Sequence, residues 1–107
     1  MNNTSSAGLT LDITGASADE LVLTLHGDVD LATVTDLRTL ITMSVASHPA
    51  ERLVLDMADV ELIDSSGLRL LRDLAVDTSM GFTVANAPAS LVRLLDLTLL
   101  NATIAVR

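Results

Sequence analysis

The chain contains no cysteine, lysine, tryptophan or tyrosine, and Phe82 is its single aromatic residue. Without cysteine there are no disulfides, no thiolate nucleophile and none of the zinc sites that depend on thiolate ligands. Without lysine there is no Schiff-base chemistry and no phosphate-gripping lysine of a P-loop. The two histidines, His26 and His48, do not make a zinc site by themselves, so neither a metal nor another cofactor is expected. A lone phenylalanine offers no platform on which bases could stack, which argues against direct nucleic-acid binding. No apolar run is long enough to span a bilayer. The opening residues 1–8 have neither a basic segment nor an apolar core of a secretory leader. The expectation is a cytoplasmic protein that does not insert into membranes.

The charge that is present is mostly negative. Fourteen acidic residues stand against six arginines, a net charge of −8. Such a field repels nucleic acid, anionic membranes and free nucleotides, and favours a protein partner with a basic surface. Half of the 107 residues are hydrophobic, which is the composition of one well-packed domain. Residues 1–8 are small and polar and read as a flexible lead-in, with the domain over 9–107.

Leu9, Leu11 and Ile13 alternate with polar residues, and Leu21, Leu23 and Leu25 do the same after a turn at 15–19, so the two segments read as an antiparallel hairpin. Asp30 is placed to cap a helix carrying Leu31, Val34, Leu37, Ile41 and Val45 on one face, which Pro49 ends. Residues 53–57 form a short, nearly continuous apolar run, as expected of a central strand covered on both faces. A second helix with Leu68, Leu71 and Ala75 follows. Then come a strand over 82–86, a third helix opened by Pro88 and lined by Leu91, Leu94 and Leu95, and a short last strand within 103–106. This order predicts an α/β fold, a mixed central sheet with helices packed on it in a single domain.

The most informative stretch is Asp64-Ser65-Ser66-Gly67-Leu68, where an apolar segment gives way to a helix. Taken alone it is a capping motif, with Asp64 or Ser65 as the cap. Ser66 then falls on or beside the first helical turn, where free backbone N–H groups and the positive end of the helix dipole would favour a phosphate. Other chemistries fit less well. Asp56, Asp59 and Asp64 suggest a magnesium site of the receiver type, but lysine is absent and Asp28 with Asp30 follows a hairpin. A hydrolase on Ser66 and His26 lacks the Gly-x-Ser-x-Gly elbow. No catalytic residue is assigned, and the chain is not expected to be an enzyme.

The ordered series Gly27-Asp28-Val29-Asp30, Leu53-Val54-Leu55-Asp56, Val60-Glu61-Leu62-Ile63, Asp64-Ser65-Ser66-Gly67-Leu68 and Leu91-Val92-Arg93-Leu94-Leu95-Asp96 resembles the STAS-domain anti-sigma factor antagonists, or anti-anti-sigma factors, over residues 21–104. The resemblance implies a STAS fold and a phosphoprotein that regulates transcription by partner switching. Ser66 corresponds to the phosphate acceptor. In unphosphorylated form the protein would bind an anti-sigma factor serine kinase and release a sigma factor; phosphorylation on Ser66 would inactivate it, and a phosphatase would restore it. Asp28, Asp30, Asp64, Ser65, Gly67 and Leu68 are the expected partner-binding residues, and Asp64 is at once a candidate cap and a candidate recognition group. STAS domains also serve as constitutive interaction modules, either scaffolds of stress complexes or accessory subunits of lipid-transport ATPases. Two features depart from the family pattern. Leu99 stands at a turn where relatives usually have glycine, and the sequence ends at Arg107 where many relatives continue into another helix. The last strand is therefore expected to be exposed or covered by another molecule, with homodimerisation through that edge as one option.

Overall fold

A computed structural model describes residues 4–6, 8–77 and 79–107. Strands β1 (Thr4–Ser6), β2 (Leu9–Ala16) and β3 (Glu20–His26) are followed by helix α1 (Val34–Ser47), strand β4 (Arg52–Asp59), helix α2 (Ser65–Asp77), strand β5 (Gly81–Ala85), helix α3 (Ala89–Thr98) and strand β6 (Ala105–Val106). The six strands lie side by side in chain order. β1 with β2 and β2 with β3 pair antiparallel, whereas β3 to β6 run parallel. This is the mixed sheet that the alternation and the connecting helices imply.

The period-2 pattern decides which face is buried. Leu11 pairs with Leu25 and Ile13 with Leu23, while across the parallel seam Leu21 meets Leu53 and Leu23 meets Leu55. These leucines join Leu37 and Ile41 of α1, Leu70 and Leu71 of α2, and Leu91 and Leu95 of α3 in one buried cluster. The opposite face carries Thr10, Asp12, Thr24, His26, Asp56 and Thr83, all partly exposed. A single cluster and a radius of gyration of 12.5 Å, close to the ~13 Å expected of one domain this long, identify one domain.

Four expectations need correction. Thr4–Ser6 of the predicted lead-in is a strand, held to β2 by backbone pairing; Met1, Asn2, Asn3 and Ala7 lie outside the described residues. β4 is covered by the helix cluster on one face, through Leu53, Leu55 and Met57. On its other face Val54 is buried between its register partners Val22 and Thr83 without joining that cluster, and Asp56 is partly exposed. β4 also runs on through Ala58 and Asp59. Finally, α1 begins at Val34, so Leu31 lies before the helix and points outward.

The departure at Leu99 has a structural counterpart. Leu99 adopts φ 60° and ψ 27°, the left-handed conformation that usually falls to glycine at a helix C-terminus. Its N–H and that of Leu100 both bond to the Leu95 carbonyl, so the turn is kept and the side chain bears the strain. Leu99 is 79% exposed, so its removal loses little burial. Leu99→Gly is expected to raise stability by about 0.5–1 kcal/mol, because a left-handed penalty of roughly 1–2 kcal/mol outweighs the extra unfolded freedom of glycine, about 0.5–1 kcal/mol. The urea midpoint should move up with an unchanged slope; a lower midpoint would contradict the strain.

Candidate functional site

Beyond the last sheet pairings of β3 and β4, the two chains meet once more at a parallel bridge between Val29 and Ile63. The Val29 N–H donates to the Leu62 carbonyl at 3.0 Å, and the Asp64 N–H donates to the Val29 carbonyl at 3.2 Å. The Asp28 carboxylate adds a third tie by accepting the Leu62 N–H at 3.2 Å. Gly27 makes the entry turn at φ 111°, and a Cβ there would collide with the Gly8 carbonyl oxygen. Residues 27–30 and 61–68 are thereby brought together at one end of the sheet, as the resemblance implies.

Each aspartate in this region has a local structural task. Asp30 Oδ1 accepts the N–H groups of Ala32 and Thr33, and the Asp30 N–H donates to Thr33 Oγ1 at 3.1 Å. This is a reciprocal cap of the turn leading into α1, with the buried Thr33 hydroxyl also donating to the Asp28 carbonyl. Asp64 Oδ1 accepts from Ser66 N–H at 2.9 Å and Gly67 N–H at 3.1 Å, so Asp64, and not Ser65, is the cap of α2. The expectation of free N–H groups at Ser66 is therefore corrected, since the Asp64 carboxylate already occupies two of them. Asp64→Ala should cost about 1 kcal/mol in urea unfolding, while Asp64→Asn, an equally good cap, should be close to neutral. Equal stability of wild type and Asp64→Ala would show that the cap contributes nothing.

Ser66 is partly exposed, with Asp64 and Ser65 exposed beside it. Gly67 and Leu68 are buried, so these two expected partner-binding residues shape the site from beneath instead of presenting a surface. Ser90, which sequence reasoning did not single out, braces the segment from α3. Its hydroxyl accepts the Ile63 N–H and donates to the Glu61 carbonyl, both at 3.3 Å. Only its place just after Pro88 hinted that it would face this way.

The electrostatics leave the site acidic. Asp73 is held below the usual carboxylate range by hydrogen bonds from Arg72 and Arg38, and Glu20 likewise by hydrogen bonds from Arg107 and Arg52. Four of the six arginines are thus engaged away from Ser66. Among the described residues, Asp28, Asp30, Glu61 and Asp64 have no ion-pair partner. His26 lies between Asp12 and Asp59, at 3.2 and 2.8 Å, so its ring is turned to those carboxylates. No group of three or more potential metal ligands is assembled among the described residues. Nor is any helix among them long and apolar enough to cross a membrane.

A model of the STAS domain matches residues 10–107. The chain belongs to the STAS domain family. Among solved structures, this STAS domain is similar to an anti-sigma factor antagonist from Mycobacterium paratuberculosis, with 26% identity, a TM-score of 0.78, and 92% of this chain and 84% of that one covered. Two structures of SpoIIAA share the fold at 16% identity. The unphosphorylated anti-sigma factor antagonist has a TM-score of 0.68, with 91% of this STAS domain and 87% of that chain covered. The phosphorylated form of the Bacillus cell fate determinant has a TM-score of 0.62, with 91% and 90% covered. No curated protein matches this chain in sequence.

Proposed function

We propose that this STAS domain is an anti-sigma factor antagonist controlled by phosphorylation on Ser66. The observation that carries the reading is the placement of Ser66. This serine is partly exposed on the first turn of α2, its backbone N–H is pinned by the Asp64 cap, and Asp28, Asp30, Glu61 and Asp64 have no ion-pair partner among the described residues. The 26% identity with a mycobacterial antagonist over most of both chains supports it. In the unphosphorylated state the acidic surface binds the anti-sigma factor kinase, and the sigma factor is set free. That kinase supplies the ATP and the catalytic groups, so this chain contributes a hydroxyl and a docking face and acts in the cytoplasm without being an enzyme. Phosphorylation adds roughly 1.5–2 negative charges beside Asp64, which already holds the Ser66 and Gly67 N–H groups, so the new charge changes the surface offered to the partner. A phosphatase then restores the binding form.

The test is intact-mass measurement and peptide mapping after incubation with anti-sigma factor kinases and Mg-ATP, with Ser66→Ala as the control. One phosphate on Ser66 in wild type and none in the variant is the expected result. Failure of every kinase to modify the chain would favour a constitutive STAS interaction module.

A further inference from the structure

Among the described residues eight large hydrophobic side chains are exposed, and two of them, Leu31 at 76% and Leu62 at 60%, belong to the turns that carry the site. Neither joins the buried cluster, although Ile63, next to Leu62, and Val29, two residues before Leu31, do. Their backbones are fixed. Leu62 is held by its N–H on the Asp28 carboxylate and by its carbonyl on Val29, while Leu31 begins the turn closed by Asp30 and Thr33. Side chains presented on such a frame lose little freedom when they are buried against another surface. The carboxylates of Asp28, Asp30, Glu61 and Asp64 stand around them without ion-pair partners among the described residues.

We infer that Leu31 and Leu62 are the apolar anchors of the Ser66 docking face, and that they enter apolar pockets bordered by arginine or lysine on the anti-sigma factor kinase. This rests on the antagonist reading given above. Apolar anchors inside a charged rim are the usual anatomy of a protein interface. With no tryptophan or tyrosine in the chain, aliphatic side chains must fill that role here. The occupant is basic because the rim is acidic and uncompensated, and because the net charge of −8 steers a cationic surface toward it.

The experiment measures affinity for the purified kinase that phosphorylates Ser66, by calorimetry at low and high salt, for wild type, Leu31→Ala, Leu62→Ala and the double variant. Leu97→Ala, which truncates a 73% exposed leucine on α3, is the control for loss of exposed apolar surface. Each anchor variant is expected to lose about tenfold in affinity and the double variant more, with Leu97→Ala unchanged and binding weakened by salt throughout. Urea midpoints should stay at the wild-type value, since both leucines lie outside the core. Wild-type binding that survives both truncations within about twofold would overturn the anchors while leaving the antagonist reading intact. If no kinase binds or modifies wild type, the antagonist reading itself fails, and the anchors with it.

Discussion

Ser66→Asp should weaken binding to the anti-sigma factor kinase by about 30- to 1,000-fold, or about 2–4 kcal/mol, while Ser66→Ala should bind as wild type does and resist phosphorylation. The loss falls on docking and not on folding. A carboxylate on the first turn of a helix is favourable to the helix itself by about 0.3–1 kcal/mol, so the variant should unfold at or slightly above the wild-type urea concentration. What changes is the surface the partner meets. The Ser66 and Gly67 N–H groups are already bonded to Asp64, so the new carboxylate gains no free donor from them and adds its charge to an acidic rim. A partner shaped around a bare hydroxyl must desolvate that charge or retreat from it. The loss should shrink at high salt to the extent that it is long-range repulsion, and persist to the extent that it is burial of an unpaired charge. Wild-type affinity of Ser66→Asp would break the link between charge at residue 66 and release of the partner.

The parts of the fold legible in the sequence are those written in periodicity. The alternation at 9–13 and 21–25 marked the hairpin, and the spacing of Leu37 with Ile41 and of Leu91 with Leu95 marked the faces on which α1 and α3 rest. Where periodicity was ambiguous or absent, the reading was incomplete. The run at 53–57 looks the same whether a strand is covered by helices on two faces or on one, with Val54 buried on the other beside Val22 and Thr83. β1 carries no apolar signal in the sequence, because Thr4, Ser5 and Ser6 are all polar, and it shows only in the pairing with β2. Leu31 has helical spacing to Val34, yet Asp30 and Thr33 close a turn there before the helix starts. At the site, Asp64 and Ser65 were equivalent caps on paper, and only the two bonds to Asp64 Oδ1 distinguish them. The Asp28 tie to Leu62 and the Ser90 brace span 34 and 27 residues, separations at which local sequence carries no information.

Gly67→Ala should lower stability by about 1–2 kcal/mol even though alanine is the better helix former by about 1 kcal/mol. The reason lies in what α2 rests on. A Cβ at residue 67 would come within 2.6 Å of Ile63 Cγ1, 2.8 Å of Val29 Cγ1 and 3.0 Å of Ile63 Cδ1, closer than side-chain carbons pack. Val29 and Ile63 are 1% and 4% exposed and joined to each other by the parallel bridge, so neither gives way without disturbing the other. Crowding of this kind typically costs about 1–3 kcal/mol and so outweighs the propensity gain. The same displacement would move Ile63 and Asp64, the residues that aim Ser66, and phosphorylation by the kinase should slow along with the loss of stability. A double-mutant cycle separates crowding from any other effect of the added methyl. Ile63→Ala removes the atoms that the new Cβ would meet at 2.6 and 3.0 Å, so Gly67→Ala should cost markedly less in that background than in wild type. A stability gain from Gly67→Ala, or a cost that Ile63→Ala leaves unchanged, would mean that the small residue at 67 is not there to let α2 approach the Val29–Ile63 bridge.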